Sequence, residues 1–505
     1  MSSSCSPRTS PTGSTRSGIR SANEGLAGSQ SCHPPCVGRT CTLAPQRSSA
    51  RRKLPVFLSR LVLPSILLLV TLASARADGE SLFGAESFTL SNGMEVVVIP
   101  DHRAPIVTHM VWYRVGSADE EPGQTGIAHL LEHLMFKGTE QTPDGEFSYI
   151  VARNGGSGNA FTSYDYTGYF QNIARDRLEL MMELEAERMT DLLITDGQVA
   201  TERQVVLEER NMRVENEPSG IFAEQLRATQ FFAHPYGWPV IGWEHDIKAL
   251  GLEDIMVFYR QHYVPNNAIL VVAGDVTAEE LKPMAERIYG AIPAVEIDER
   301  TRAQEPPQRA ARRLLYVDSR VAQPSLQMMY LAPTYATGPE ETAYGLEVLA
   351  EVLSGSTTSR LHRRLVVEQQ LAVSAGAWYS GDGLDQSRFG FWIVPAIGVT
   401  IEAAEAALRA EIAALLEDGV TGDEVARVKT RMEADLIYAR DNVAAIARWY
   451  GSWLAVGMSV EEVENWASRI DEVTVDEVNA AARAVLVPET EVTGILLLEA
   501  PTDAL

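Results

Sequence analysis

The segment His129-Leu-Leu-Glu-His133 returns 219 residues later as Val348-Leu-Ala-Glu-Val352. The surroundings return with it. Residues 106–115 read as a strand and 126–138 as a short amphipathic helix. Residues 323–331 and 345–355 repeat that order. A chain written this way has two similar faces to bury, so it is expected to fold as a duplicated α+β unit. Both histidines are valine in the second copy, which implies that one copy alone kept its chemistry.

The rest of the first half supports this reading. Two strand-like runs in 86–100 flank Asn92-Gly93, a strong hairpin signal. Residues 161–172 read as one strand, 175–193 and 196–216 as two long helices, and 268–275 as a buried strand ending in a turn. A chain of 505 residues with 45% hydrophobic content is long enough for two such domains. The first is expected over 81–293 and the second, degenerate one over 312–505. Residues 294–311, with a charged stretch and Pro306-Pro307, read as an exposed linker.

The beginning of the chain does not match the rest. Residues 1–50 are rich in Ser, Arg, Pro and Gly without apolar periodicity, and read as disordered or as an artefact of an early start codon. Arg51-Arg52-Lys53, the apolar run 61–73 and the small-residue sites Ala73-Ser74-Ala75 and Ala75-Arg76-Ala77 read as a secretory signal peptide over 51–77. The apolar run is short for a membrane span, which needs ~20 residues. The expected product is therefore periplasmic or secreted, with no stable membrane anchor after cleavage. All four cysteines (Cys5, Cys32, Cys36 and Cys41) precede residue 78. The whole chain has a formal net charge of −25, and residues 1–77 hold ten of its Lys and Arg against one Glu. The remainder of the chain is thus still more acidic, and nucleic acid is excluded as a partner.

On a helix, positions i, i+3 and i+4 share one face, so His129, Glu132 and His133 project together. Two imidazoles one turn apart can bind a single Zn²⁺, leaving the Glu free to reach a water. A catalytic zinc also needs a third protein ligand. The second long helix offers Glu202, Glu208 and Glu209. Glu202 and Glu209 are two turns apart and face the same way, whereas Glu208 points roughly 100° away.

These segments resemble the M16 peptidases, the family of pitrilysin, insulin-degrading enzyme and the mitochondrial processing peptidases. In that family H-x-x-E-H is followed about 75 residues later by a glutamate ligand in an E-R-x-x-V-x-x-E context. Here Glu202-Arg-Gln-Val-Val-Leu-Glu-Glu209 places Glu209 76 positions after His133. Gly155-Gly-Ser-Gly-Asn-Ala-Phe-Thr-Ser-Tyr-Asp-Tyr-Thr-Gly-Tyr169, His234-Pro-Tyr-Gly237 and Tyr263-Val-Pro-Asn-Asn267 match as well. The resemblance implies two homologous domains, each a mostly antiparallel β-sheet packed with helices. It implies one Zn²⁺ on His129, His133 and Glu209, with Glu132 as the general base for the zinc water and Glu202 orienting a ligand imidazole. It also implies an edge strand at Asn159, Ala160 and Phe161 that holds extended peptide substrates through main-chain bonds.

One departure stands out. Active members carry L-R-x-x-x-x-L-x-Y in the second half, and here the stretch reads Leu365-Val366-Val-Glu-Gln-Gln-Leu371-Ala-Val373. Valines occupy the Arg and Tyr positions. The family's heterodimers suggest an M16 homologue as partner subunit, supplying that Arg and Tyr. The expected function is an exported zinc metalloendopeptidase acting on peptides or small unfolded polypeptides. The alternative is a non-catalytic M16-like structural subunit, although such chains typically lose the metal residues that this one keeps.

Overall fold

The computed structural model describes residues 82–499. The expected signal peptide, the N-terminal extension and the four cysteines lie outside them. No described helix is long and apolar enough to cross a membrane.

Two sheets organise the chain. The first contains β1 (Glu86–Thr89), β2 (Glu95–Pro100), β3 (Ile106–Tyr113), β4 (Ser157–Thr162), β5 (Thr167–Ala174) and β6 (Ala268–Gly274), in the order β1-β2-β6-β3-β5-β4. Its helices are α1 (Ile127–Leu134), α2 (Glu146–Arg153), α3 (Leu178–Thr190), α4 (Asp196–Arg210), α5 (Pro218–Gln230), α6 (Glu244–Ala249), α7 (Leu252–His262) and α8 (Ala278–Ile288). The second sheet contains β7 (Arg312–Asp318), β8 (Ser325–Ala332), β9 (Ala372–Tyr379), β10 (Ser387–Pro395) and β11 (Val492–Leu498), in the order β7-β11-β8-β10-β9. With it go α9 (Glu340–Ser354), α10 (Ile401–Asp418), α11 (Gly422–Ala439), α12 (Val443–Ala455), α13 (Val460–Glu472) and α14 (Val475–Val485).

The duplication expected from the sequence holds strand by strand. In each sheet the first two strands of the shared order are parallel (β2 with β6, β7 with β11) and the remaining pairs are antiparallel. The 219-residue offset carries Ile106–Tyr113 onto Ser325–Ala332, end to end.

Alternation along β2 shows how the halves join. Side chains on successive residues point to opposite faces. Val96 and Val98 enter a core with α1, α3 and α7, while Val97 and Ile99 enter a second core shared with Leu326, Tyr450 and Trp453 of the second half. Gly451 of α12 lies against the buried Trp112 ring, where a Cβ would come within 2.0 Å of it. The first sheet is thus covered by its own helices on one side and by the second half on the other.

Two expectations need correction. Residues 161–172 are not one strand: the chain turns over Ser163 to Tyr166, and β4 and β5 pair as a hairpin with Thr162 opposite Thr167. Apolar alternation continues through the turn because Tyr164 and Tyr166 are themselves partly buried, which hides the break from a periodicity reading. Residues 294–311 form no helix or strand, as expected of a linker, yet they are anchored. Arg302, nearly enclosed, meets Asp119 at 2.7 Å, Asp165 at 2.5 Å and Asp385 at 3.0 Å. Glu305 accepts the backbone N–H groups of Phe232, Ala233 and His234. The strap is therefore tied to both halves by charge, although its backbone is exposed.

Candidate metal centre

Helix α1 begins at Gly126, whose φ of 91° is one that side-chain-bearing residues rarely adopt. A Cβ there would meet the Ile241 carbonyl at 2.7 Å, so Gly also permits the close approach of the 241–242 loop. The free N–H groups of the first turn are satisfied by Glu120, which accepts from Gly126 at 2.9 Å and Ala128 at 3.0 Å. Helix α4 begins with a capping box, Thr195 with Gln198. Both helices are thus capped at their starts, and they pack against each other.

Their packing brings three groups together. His129, His133 and Glu209 each offer a ligand atom, and these atoms all lie within 4.8 Å of one another. His133 Nε2 is 3.4 Å from Glu209 Oε2, and His129 Nε2 is 3.7 Å from the same oxygen. Neighbouring ligands around a tetrahedral zinc with ~2.1 Å bonds sit about 3.4 Å apart. The spacing and the N₂O donor set therefore fit Zn²⁺. His129 is buried, and Nδ1, the ring nitrogen other than the one facing Glu209, has no hydrogen-bond partner among the described residues.

The surrounding charges act differently on each group. Burial, and then the neighbouring His133, pull the His129 pKa down to about 4, so its imidazole is neutral and available as a ligand. Burial works against His133 too, but its hydrogen bond to Glu209 and the Glu132 and Glu202 carboxylates outweigh it and raise its pKa. Glu209 is lowered, first by that same hydrogen bond. Glu132 is raised by burial, which exceeds the opposing effect of the Thr162 hydroxyl donating to it at 2.6 Å. A carboxylate with a raised pKa is a better proton acceptor.

Glu202 lies 3.5 Å from His133 Nδ1. Glu208 is exposed and takes no part. Asn159 and Ala160 lie on β4, which pairs only with β5 among the described residues and is the edge of its sheet. Phe161 is on the same strand, but its ring is turned away from the Thr162–Glu132 contact. It packs 4.8 Å from Trp112, with the Arg448 guanidinium 3.9 Å above it.

Three supporting residues were missed. Lys137 pairs with Glu202 at 2.7 Å, and Arg213 pairs with Glu209 at 2.8 Å. Thr162 holds Glu132. The signals existed: Lys137 is one turn beyond His133, Arg213 one turn beyond Glu209, and Thr162 two residues beyond Ala160 on the same strand face.

Residues 95–243 match the family model described as Insulinase (Peptidase family M16), and residues 249–432 match the one described as Peptidase M16 inactive domain. The zinc protease PqqE of Helicobacter pylori is 33% identical over 78% of this chain and 89% of its own length. A crystal structure of a protease from Helicobacter pylori superposes with a TM-score of 0.76 at 30% identity, covering 82% of this chain and 99% of that one. The periplasmic protease PqqL of Escherichia coli has the same fold, with a TM-score of 0.71 at 19% identity over 82% of this chain and 48% of that one. The chain belongs to the M16 peptidase family.

Proposed function

We propose that this chain is an exported zinc metalloendopeptidase and the metal-bearing subunit of a heterodimer. The observation that carries the reading is the meeting of His129, His133 and Glu209 from two helices, with the half-buried Glu132 beside them. A Zn²⁺ held by those three residues supplies Lewis acidity at the reacting carbonyl. Glu132 accepts the proton of the attacking water and returns it to the leaving amine. Thr162 keeps that carboxylate aimed, and Glu202 holds the His133 ring through Nδ1. The open edge of β4 at Asn159 and Ala160 takes an extended peptide as an added strand.

The positions of the family's Arg and Tyr carry no donor in this chain, and the nearest Arg and Tyr in sequence are engaged elsewhere. Val366 is partly buried against its own core and Val373 is exposed at the start of β9; neither side chain has a hydrogen to donate. Arg364 is occupied by Glu411 at 2.8 Å, and the Tyr379 hydroxyl by the Pro333 carbonyl at 2.6 Å. An M16 homologue carrying the pair supplies the missing donors. The export assignment rests on the sequence pattern of residues 51–77.

The test is metal content together with hydrolysis of a quenched peptide by the purified chain. One zinc per chain, lost in His129→Ala, and peptide cleavage abolished by chelation are expected. Stoichiometric zinc in the His129→Ala, His133→Ala double variant would refute the ligand set.

A further inference from the structure

The second half contains a cleft of about 650 Å³ between α9, β9, α11 and α12. Its position in the duplicated fold is informative. The lining residues Ala377 to Tyr379 lie on β9, the edge strand of the second sheet. Shifted back by 219 residues they correspond to Gly158, Asn159 and Ala160 of β4. Glu351, also in the lining, corresponds to Glu132. The cleft is thus the second half's counterpart of the groove beside the metal centre, although Val348 and Val352 have turned the metal face into core.

What fills the space is a distinct chemistry. Trp449, Trp453, Trp466 and Tyr335 form one wall, with Trp449 5.6 Å from both other indoles and Tyr335 4.7 Å from Trp453. Glu347 and Asp382 face the same space. Glu351 is neutralised by Arg431. The Trp466 indole N–H donates to the Tyr335 hydroxyl at 3.4 Å, and no Lys, Arg or His pairs with Glu347 or with Asp382 among the described residues. Enclosure by protein, then the nearby Glu351 and Asp382, push Glu347 up to about 8. An acid held at this disadvantage beside a row of indole faces is stabilised by one class of ligand, a cation with apolar surface. An inorganic cation is not what the lining is built for: among the described residues its carboxylates, Glu347, Glu351, Asp382 and Asp435, do not converge as a metal-ligand group. A volume of this size suits a small organic molecule or a long side chain.

We propose that this cleft binds an organic cation, an ammonium or guanidinium group carried on an apolar body, with Glu347 as its counter-ion and the Trp449–Trp453–Trp466 wall as its aromatic seat. The site stands apart from the metal centre and does not depend on it. Two sources share this chemistry: a free amine, and a Lys or Arg side chain of a bound peptide.

Four of the chain's eight tryptophans, Trp378, Trp449, Trp453 and Trp466, line the cleft, so intrinsic fluorescence reports on occupancy. Titration of the full chain with phenethylammonium is expected to give a saturable change, whereas its neutral analogue phenethyl alcohol gives none over the same range. Glu347→Gln, which keeps the shape, is expected to weaken the amine tenfold or more with unchanged circular dichroism and zinc content. Trp449→Leu is expected to weaken it independently of that carboxylate. His129→Ala should leave it untouched, which separates failure here from failure of the peptidase reading. A Lys-containing peptide that competes with phenethylammonium, when its norleucine counterpart does not, identifies the peptide side chain as a ligand; competition by free amines alone identifies a small molecule. Equal binding of amine and alcohol, no saturable amine signal, or full affinity in Glu347→Gln would overturn the proposal.

Discussion

The two halves share a strand order and differ at one helix face. In α1 that face carries His129 and His133, a pair that needs Glu209 and a charged surround to be tolerated near the core. In α9 the same positions are Val348 and Val352, both buried and requiring nothing but packing. Each buried valine contributes roughly 1.5–3 kcal/mol by leaving water, whereas an unpartnered imidazole at the same place costs free energy. The same helix position thus accepts either two packed valines or a set of polar groups that must find partners. The glutamate between the two positions is kept in both, but Glu132 takes the Thr162 hydroxyl while Glu351 takes Arg431. Position in the fold is conserved between the halves; chemical role is not.

The strongest way to break this contrast is to make the same change in each half. Glu132→Gln is expected to lower kcat on a quenched peptide by ~10²–10⁴, the usual contribution of a general base, with zinc retained. Glu351→Gln should leave kcat within a factor of about 3, because Glu351 is paired with Arg431 and stands between two valines rather than two histidines. Comparable losses in both variants would mean that the halves are not functionally distinct.

A partner addresses the same contrast from outside. Loss of one oxyanion donor typically costs ~10²–10³ in kcat. Adding an M16 homologue that bears the Arg and Tyr is therefore expected to raise kcat by about that factor, and substituting either residue in the partner to cancel the gain. High activity in the isolated chain, unmoved by any such subunit, would show that this chain supplies the donors itself.

The reverse experiment writes the metal ligands into the second half. Val348→His with Val352→His should leave zinc at one per chain, since the facing helix α11 buries Val425, Val428 and Met432 in that core and no carboxylate like that of Glu209. Two buried imidazoles without that carboxylate should lower unfolding stability by about 1–3 kcal/mol each, measured by urea denaturation. A second bound zinc would show that the geometry survived the loss of the residues.

The smallest expected effect concerns the strap joining the halves. Asp385 is held down at about 2, first by its hydrogen bond with His234 and then by Arg302. Its folded pKa lies below the unfolded value of about 3.9, so this stabilisation is present above pH ~4 and is lost as pH falls through about 2. Limited proteolysis within residues 294–311 should therefore accelerate between those pH values. An unchanged cleavage rate would mean that Asp119 and Asp165 suffice to hold Arg302.

Much of this was legible in the chain. The 219-residue offset, the duplicated α+β order and the projection of His129, Glu132 and His133 from one helix face all come from local periodicity, which backbone geometry fixes within a few residues. The same periodicity puts Glu202 and Glu209 on one face of α4. Other features were settled only by the tertiary structure: that Glu209 lies between the two imidazoles, that Phe161 turns inward beneath Arg448, that residues 161–172 break into a hairpin, and that Arg302 anchors the strap. Each of these depends on partners far away in sequence, brought near by burial of both faces of the first sheet. Spacing along a chain determines which side chains share a local face; only the packing of those faces against one another determines which distant groups they meet.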